Sequence, residues 1–205
     1  MARDTQSIVK LSRREGYALH PKAHKALAKR SNMPGKAPNA RTRNKPSQYA
    51  LQLREKQKVK RLYGLLEKQF SNLMAEASRT PGQSGATLLQ YLERRLDNAV
   101  YRAGFAPSRR AARQLVTHGH FLLNGRRVDI PSIRLREGDT FALREHSKSS
   151  EYFKRLDDTS PAPNATPSWQ SVDRKKVQAK IIGIPTRDDA EQDINEQLIV
   201  EYYSR

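Results

Sequence analysis

The segment SRRAARQLVTHGHFLLNGRRV, residues 108–128, constrains the fold more than any other stretch of this chain. Ser108 is a preferred residue for capping a helix N-terminus, and Gly119 can end that helix with a positive φ. Asn124-Gly125 is the dipeptide most typical of a two-residue hairpin turn. The segment therefore predicts a short helix followed by two antiparallel strands.

The predicted helix has an apolar side and a cationic side. At about 100° per residue, one side gathers apolar residues that can pack on a sheet: Ala111, Ala112, Leu115 and Val116. Another side gathers Arg109, Arg110 and Arg113. Arginine donates paired hydrogen bonds to phosphate and stacks on bases, so a rigid cluster of this kind suits folded RNA. The same side is extended by Gln114, His118 and Asn124, and by Arg126 and Arg127 after the turn. The alternative is a solvated cationic face.

The charge of the chain favours a polyanionic partner. The formal net charge is +18 over 205 residues, and it is unevenly distributed. The first 61 residues hold 17 Lys and Arg against 3 Asp and Glu, whereas residues 188–205 hold one against six. Such a protein repels itself unless a polyanion neutralises it, so nucleic acid is the first candidate and an anionic membrane surface the second. No apolar run approaches the ~20 residues that a membrane helix requires, and the N-terminus lacks a signal-peptide core. We therefore expect a cytoplasmic protein.

Hydrophobic periodicity predicts a mostly helical body. Residues 47–77 show the apolar spacing of one long helix, and a second helix is expected from Thr87 to Gly104. A strand pair is expected around the Gly138-Asp139 turn, and residues 177–185 alternate weakly as a strand. The C-terminal DINEQLIVEYYSR, residues 193–205, is compatible with a short helix or an edge strand.

The predicted long helix carries a second cationic cluster. Arg54, Lys58 and Arg61 share one face, and Lys56 and Lys60 flank it. Glu55 is the only acid between Arg54 and Arg61, so internal pairing is not expected to neutralise the cluster. We expect phosphate contacts here, with a solvated helix face as the alternative.

The sequence contains no pattern that predicts a catalytic or metal-binding site. The chain has no cysteine, which excludes disulfides, thiolate metal sites and cysteine nucleophiles. His20 and His24 have the spacing of a metal pair, but no third ligand is near in sequence, so we expect no metal and no cofactor. Asp97 lies in an Arg-Leu-Asp triplet similar to that of some RNA-modifying enzymes, yet it falls within a predicted amphipathic helix. Trp169, the only Trp, is expected to be a packing residue.

Five stretches of the chain match motifs of one known family: KLSRREG (10–16), YALQLREKQKVKRLYGLLEKQF (49–70), LERRLDNAVYRAGF (92–105), SRRAARQLVTHGHFLLNGRRVDIPS (108–132) and DINEQLIVEYYSR (193–205). Together they resemble the ribosomal protein S-four family of the bacterial small subunit. The resemblance covers nearly the whole chain, in order.

The resemblance implies an α+β fold and a domain organisation. It implies a mostly helical body with an inserted S-four-type (alpha-L) RNA-binding module of two helices and a small antiparallel sheet. A basic, irregular N-terminal arm would span residues 1–46. The helical domain would span 47–93 and be completed by 160–205, which would pack on it, and the module would span 94–159.

The resemblance also implies a non-enzymatic function in the 30S subunit. Family members bind 16S rRNA early, at a multi-helix junction of its 5′ domain, nucleate assembly of the 30S body and contribute to translational accuracy. The implied neighbours are the small-subunit proteins S-five, S-three and S-twelve, and messenger RNA where it enters the ribosome. A membrane or a small-molecule substrate is not expected. The alternative is a free-standing RNA-binding factor or an rRNA-modifying enzyme that shares the module.

Site residues follow from the matched positions. The expected RNA contacts are Lys10, Arg13, Arg14, Arg54, Lys56, Lys58, Arg61, Arg109, Arg110, Arg113, Gln114, His118, Asn124, Arg126 and Arg127. Contacts to entering messenger RNA are expected from Arg41, Arg43 and Lys45. Glu201 and Tyr202, in the acidic tail, are expected to lie at a protein contact.

Overall fold

The computed structural model describes residues 4–35, 46–163 and 166–204. The described chain is α+β, as expected, with ten α-helices and one five-stranded antiparallel sheet. It divides into two compact units, Met1–Leu88 with Asp193–Arg205, and Leu89–Gln192. None of the helices in these described ranges is long and apolar enough to cross a membrane.

The helices, in chain order, are α1 (Ile8–Glu15), α2 (Ala23–Lys29), α3 (Gln48–Leu62), α4 (Glu67–Arg79), α5 (Ser84–Glu93), α6 (Leu96–Arg102), α7 (Arg109–Thr117), α8 (Glu151–Lys154), α9 (Leu156–Thr159) and α10 (Glu196–Tyr203), with a 3₁₀ helix over Glu145–Ser149. The strands are β1 (Phe121–Leu123), β2 (Arg126–Val128), β3 (Thr140–Leu143), β4 (Gln170–Asp173) and β5 (Gln178–Ile181). In the first unit, α10 packs on α3, and α1 packs on both α2 and α3. In the second unit, α6 packs on α7, and the sheet has the order β2-β1-β3-β5-β4.

The expected helix over 47–77 is two helices. Gly64 adopts φ +66°, its N–H donates to the Arg61 carbonyl, and the Leu65 N–H donates to the Lys60 carbonyl. This is the glycine-dependent helix ending that satisfies the last carbonyls of α3. The apolar period continues across the break, which is why periodicity alone did not reveal it.

The expected helix from Thr87 to Gly104 is also interrupted. It is replaced by α5 and α6, because Arg95 is extended and pairs with Arg134 as an isolated antiparallel bridge. The Leu96 N–H donates to the Ile133 carbonyl at 2.9 Å, and the Leu135 N–H donates to the Arg94 carbonyl at 2.9 Å. The segment before β3 therefore forms its backbone hydrogen bonds with the α5–α6 connection. It does not form the strand pair expected around Gly138-Asp139.

The C-terminal segment differs from the expected domain division. The resemblance predicts that residues 160–205 pack on the helical domain. Instead, β5 pairs with β3, with Phe141 opposite Ala179, and β4 pairs with β5. Only Asp193–Arg205 group with the helical unit, where the ambiguous C-terminal stretch forms α10.

The N-terminal arm is more ordered than expected. Within 1–46, where an irregular arm is expected, the described residues form α1 and α2. Ile8, Leu11, Leu19 and Ala23 are buried and supply the apolar contacts. They bury the apolar side of α1, which packs on α2 and α3.

The core of the second unit positions α7 and the hairpin. Phe105, Phe121 and Phe141 are fully buried, with ring centroids 6.2–6.3 Å apart. From α7, Ala112 and Val116 enter the same core. Trp169 is buried in it as well, which confirms its predicted packing role. The cationic side of α7 is thereby carried on a rigid base.

Candidate RNA-binding surface

The helix–hairpin segment forms as its sequence predicts. The Ser108 hydroxyl accepts from the Ala111 N–H at 3.3 Å and caps α7, and Gly119 has φ +71° just after it. Asn124 and Gly125 both have positive φ, as a type I′ turn requires. The two strands are paired, with Phe121 opposite Val128.

One face of α7 is open to solvent. Arg110, Gln114 and His118 are exposed and follow one another at intervals of four residues, so they form a row along the helix. The Arg110 side chain makes no ion pair or hydrogen bond with the described part of the chain. We call these three residues the α7 row. Its donors are available to an external acceptor.

Arg109, on the other side of α7, is held inside the protein. Its Nε donates to Asn98 Oδ1 at 2.8 Å, and its Nη2 lies 2.9 Å from Glu191 Oε1. The guanidinium carbon lies 4.7 Å from the centre of the Tyr101 ring. Burial alone would raise the pKa of Glu191, but Arg109 and Arg102 hold it below its ordinary value. The Arg109 charge is therefore balanced by a carboxylate.

Arg113 is held in the same way by Asp97. Its Nη1 lies 3.1 Å from Asp97 Oδ2, and Arg95 donates to both Asp97 oxygens at 2.9 and 3.1 Å. Burial lowers the pKa of the Arg113 guanidinium, and the Asp97 charge opposes that shift. The carboxylates that hold Arg113 and Arg109 come from α6 and from residue 191, so neither arginine is the free cation that an RNA contact on this face requires.

Another carboxylate, Glu93, completes this network beneath α7. Its side chain is fully buried and accepts from Asn98 Nδ2 at 2.8 Å and from Arg102 at 2.9 and 3.0 Å. Asn98 in turn holds Arg109, so Glu93 and Glu191 face Arg102 and Arg109 in a linked set. A buried set of this kind fixes side-chain positions, because each donor has a defined acceptor.

The hairpin contributes two exposed cations. Arg126 and Arg127 are exposed, and neither makes a side-chain ion pair or hydrogen bond within the residues described. Asn124, by contrast, is used by the fold, although it is exposed. Its Nδ2 donates to Asp139 Oδ1 at 2.8 Å, and its Oδ1 accepts from the Thr140 N–H at 2.9 Å.

The cationic cluster on α3 is neutralised from a distant helix. Arg54 Nη1 lies 3.2 Å from Glu15 Oε1, and Arg61 Nη1 donates to the same oxygen. Glu15, the last residue of α1, has a fully buried side chain. Lys58 pairs with Glu55 at 2.8 Å and donates to the Asp193 carbonyl at 2.7 Å. The inference that internal pairing cannot neutralise this cluster is therefore wrong.

Lys56 is buried between α3 and α10. It is 3% exposed, its Nζ lies 2.7 Å from Glu67 Oε1, and it lies 4.6 Å from the centre of the Tyr202 ring. Lys60 and the Tyr203 hydroxyl also donate to Glu67. Burial raises the pKa of Glu67, but these donors outweigh that effect and lower the pKa to about 2. The fold encloses the charge of Lys56, contrary to the expectation of an RNA contact.

The C-terminal residues expected at a protein contact lie on α10. The Glu201 carboxylate accepts from Gln52 Nε2 at 2.8 Å. The Tyr202 ring lies 5.8 Å from that of Tyr49, which is itself 48% exposed. Both residues remain partly accessible, so an aromatic and acidic surface stays open beside α3.

The N-terminal helices present a further basic surface. Lys10 and Arg14 are exposed on α1 at a spacing of four, whereas Arg13 donates through Nε to the Asn32 carbonyl at 2.9 Å. Arg41, Arg43 and Lys45 lie outside the described residues.

The basic face of α2 is not among the surfaces that the sequence predicts. Lys22, Lys25 and Lys29 are exposed at spacings of three and four, and Arg30 follows them. No Asp or Glu occurs between Gly16 and Arg54, so no carboxylate nearby in sequence can pair with them. The spacing of the lysines is compatible with a helix, but PKAHKALAKR has only one large apolar residue, Leu27, and therefore no apolar period that would predict one.

The described residues show no arrangement suited to catalysis at Asp97 or to a metal. Asp97 is 4% exposed, and its carboxylate accepts hydrogen bonds from Arg95 and Arg113. Within the described ranges, no group of three or more His, Asp or Glu side chains is placed to hold a metal ion.

Comparison with known proteins identifies the family. The model of the ribosomal protein S4/S9 N-terminal domain matches residues 3–93, and that of the S4 domain matches residues 94–141. The chain belongs to the ribosomal protein S4 family. Small ribosomal subunit protein uS4 of Clostridioides difficile is 48% identical, that of Chlorobaculum tepidum 49% and that of Halothermothrix orenii 46%, each over the full length of both chains.

The candidate surface lies within the part of the chain that matches the S4 domain. Residues 94–141 contain α6, α7, the hairpin and the start of β3, so the α7 row and both hairpin arginines lie within the S4 domain. The expected family is thereby confirmed.

Proposed function

We propose that this chain is a structural, non-enzymatic protein of the small ribosomal subunit that binds the subunit's rRNA. It would act in the ribosomes of the cytoplasm, without a cofactor. The observation that carries the proposal is the set of exposed cations on the α7 row and on the hairpin, at Arg126 and Arg127, on the packed core of a member of the S4 family. Exposed guanidiniums on a fixed scaffold are suited to RNA phosphates. The charges of Arg109 and Arg113, on the same helix, are balanced by carboxylates.

The ion pairs divide the expected contact residues into two groups. We propose that RNA is contacted by the exposed members, Lys10, Arg14, Arg110, Gln114, His118, Arg126 and Arg127, together with the α2 face. The carboxylate-held members, Arg54, Lys56, Lys58, Arg61, Arg109 and Arg113, act first as parts of the fold. Arg13 and Asn124 also serve the fold, through their hydrogen bonds.

The proposed RNA target is a multi-helix junction in the 5′ domain of 16S rRNA. Base edges of RNA duplexes lie in a deep, narrow groove, so a junction is recognised through backbone geometry and unpaired bases. The two units each present exposed cations, on α1 and α2 and on α7 and the hairpin, which supports contact with more than one RNA segment. Early binding there would nucleate assembly of the 30S body.

Protein and messenger RNA contacts form a further part of the proposal. The surface of Tyr49, Glu201 and Tyr202 is partly aromatic and acidic, which suits a basic protein neighbour such as S-five. Through that neighbour the chain would influence translational accuracy, with S-three and S-twelve nearby. Arg41, Arg43 and Lys45 are proposed to meet messenger RNA where it enters the ribosome, on the strength of the family resemblance.

Binding to rRNA fragments tests the proposal. The purified chain is titrated with a 5′-domain junction fragment at two salt concentrations, with an unrelated RNA of equal length as competitor. We expect tight binding that survives the competitor and weakens steeply with salt, because each phosphate contact releases counterions. Binding that the competitor abolishes would leave a non-specific polycation and contradict the proposal.

Two neighbouring arginines provide a matched comparison. Arg110→Ala should weaken binding to the junction fragment and leave the free energy of unfolding unchanged, because the side chain is exposed and unpaired in the described chain. Arg113→Ala should lower the free energy of unfolding, because it leaves Asp97 with fewer donors. The reverse pattern would contradict the division into contact and scaffold residues.

A free-standing RNA-binding factor is the remaining alternative. It predicts that the chain is substoichiometric in washed small subunits, whereas a structural protein is recovered at one copy per subunit. Quantitative mass spectrometry of purified subunits separates the two.

A further inference from the structure

The guanidinium of Arg127 lies against the backbone of Gly119. Arg127 is on β2, opposite Leu122 of β1, and Gly119 is in the connection between α7 and β1. A Cβ at Gly119 would lie 2.7 Å from Arg127 Nε, 2.9 Å from Nη2 and 3.2 Å from Cζ. Three guanidinium atoms thus occupy the space that any side chain at position 119 would need.

This location is favourable for a cation. The Gly119 N–H donates to the Val116 carbonyl at 2.8 Å, and the His118 N–H donates to the Gln114 carbonyl at 2.9 Å, so both residues close the last turn of α7. The C-terminal end of a helix carries partial negative charge, which attracts a nearby guanidinium. The Arg127 guanidinium is therefore attracted to the C-terminal end of α7 without forming an ion pair with a carboxylate of the described chain.

The same location extends the α7 row. Gly119 directly follows His118, the last residue of the row, so the Arg127 guanidinium lies where the row ends. Arg127 is exposed and forms no hydrogen bond or ion pair with the residues that the structure describes. Its N–H donors are thus held at the His118 end of the α7 row and remain available.

We propose that Gly119 is a positioning residue for RNA binding, because its missing side chain lets Arg127 lie at the end of the α7 row and meet a phosphate there. The inference rests on the proposed function and names a residue that acts through another. Gly119 itself would not touch the RNA. Its φ of +71° and the close approach of Arg127 both disfavour any larger residue.

A double-mutant cycle tests the inference. Wild type, Gly119→Ala, Arg127→Ala and the double variant are titrated with the 5′-domain junction fragment. We expect each single variant to bind about tenfold more weakly, which corresponds to one lost charge-assisted contact. The double variant should bind no more weakly than Arg127→Ala, because without the guanidinium the added methyl group displaces nothing.

The salt dependence distinguishes positioning from a general loss of structure. Loss of one phosphate contact lowers the slope of log affinity against log salt by up to about 1. We expect this change in Arg127→Ala and in Gly119→Ala. Gly138→Ala is the matched control, because Gly138 also has positive φ, at +87°, but nothing lies within 4 Å of its added Cβ. It carries the backbone strain alone and should keep the wild-type slope.

The outcomes separate this inference from the proposed function. If wild type binds the fragment specifically but Gly119→Ala matches Gly138→Ala in affinity and slope, the positioning role is refuted and the proposed function stands. The same holds if Gly119→Ala weakens binding further in the Arg127→Ala background. If wild type itself does not bind specifically, the proposed function fails.

Discussion

Asp97→Asn tests the buried network beneath α7. The Asp97 and Arg95 side chains are each only 6% exposed. Asp97 accepts from Arg95 Nε and Nη2 at 3.1 and 2.9 Å, from Arg113 Nη1 at 3.1 Å and from the Asn98 N–H at 3.0 Å. Asparagine keeps the shape but replaces one acceptor oxygen with a donor and removes the charge.

The expected loss of stability follows from these contacts. One guanidinium would face an amide NH₂, and the Arg95 charge would stay buried without a counter-charge. Removing one partner of a buried pair costs about 3–5 kcal/mol. Arg113 is 14% exposed and can relax toward water, so we expect a value near the lower end, about 3 kcal/mol.

Trp169 provides the assay. It is the only Trp of the chain, and it lies in the core of the unit that contains Asp97. Urea unfolding followed by its fluorescence therefore reports on that unit, and urea does not screen charges. Asp158→Asn is the control, because Asp158 is exposed and makes no contact of this kind with the described chain. A loss of about 0.5 kcal/mol or less for Asp97→Asn would refute the argument, because that is the usual range for a surface substitution.

Three further predictions concern other parts of the fold. Arg174→Met should lower the free energy of unfolding by about 2 kcal/mol, because the Arg174 guanidinium donates to Asp157 and to the carbonyls of Gly104 and Ser160. Urea unfolding followed by Trp169 fluorescence measures this loss. The control, Lys175→Met, should leave the free energy of unfolding unchanged. Asn124→Ala should cost about 1–2 kcal/mol in the same assay, because both of its side-chain bonds brace the hairpin, and an unchanged midpoint would argue against this. Because the pKa of Glu67 is lowered, its contribution to stability is present above about pH 4.5 and is lost as the pH falls toward 2. Between pH 5 and 2.5, circular dichroism should therefore show a shallower loss of helix stability for Glu67→Gln than for wild type. Equal slopes would contradict the role of Lys56.

The sequence by itself determined the features that depend on a few neighbouring residues. Ser108 caps α7, Asn124-Gly125 turns the hairpin, and the apolar side of α7 enters the core, as predicted. Caps, turns and hydrophobic periodicity act over four residues or fewer, so they can be read from a linear chain. The family motifs extended this local reading to the whole chain.

Only the tertiary structure decided which cations are available to a ligand. Arg61 meets Glu15, 46 residues away, and Arg109 meets Glu191, 82 residues away. The first 61 residues have the composition of a polycation and residues 188–205 that of an acidic tail. Nevertheless, Glu15 from the first segment and Glu191 from the second are each placed against a particular arginine. Pairing of charges depends on distance in space and on burial, and neither follows from the spacing of residues along the chain. For the same reason, the contact of Arg127 with Gly119 appears only when β2 is folded beside the end of α7.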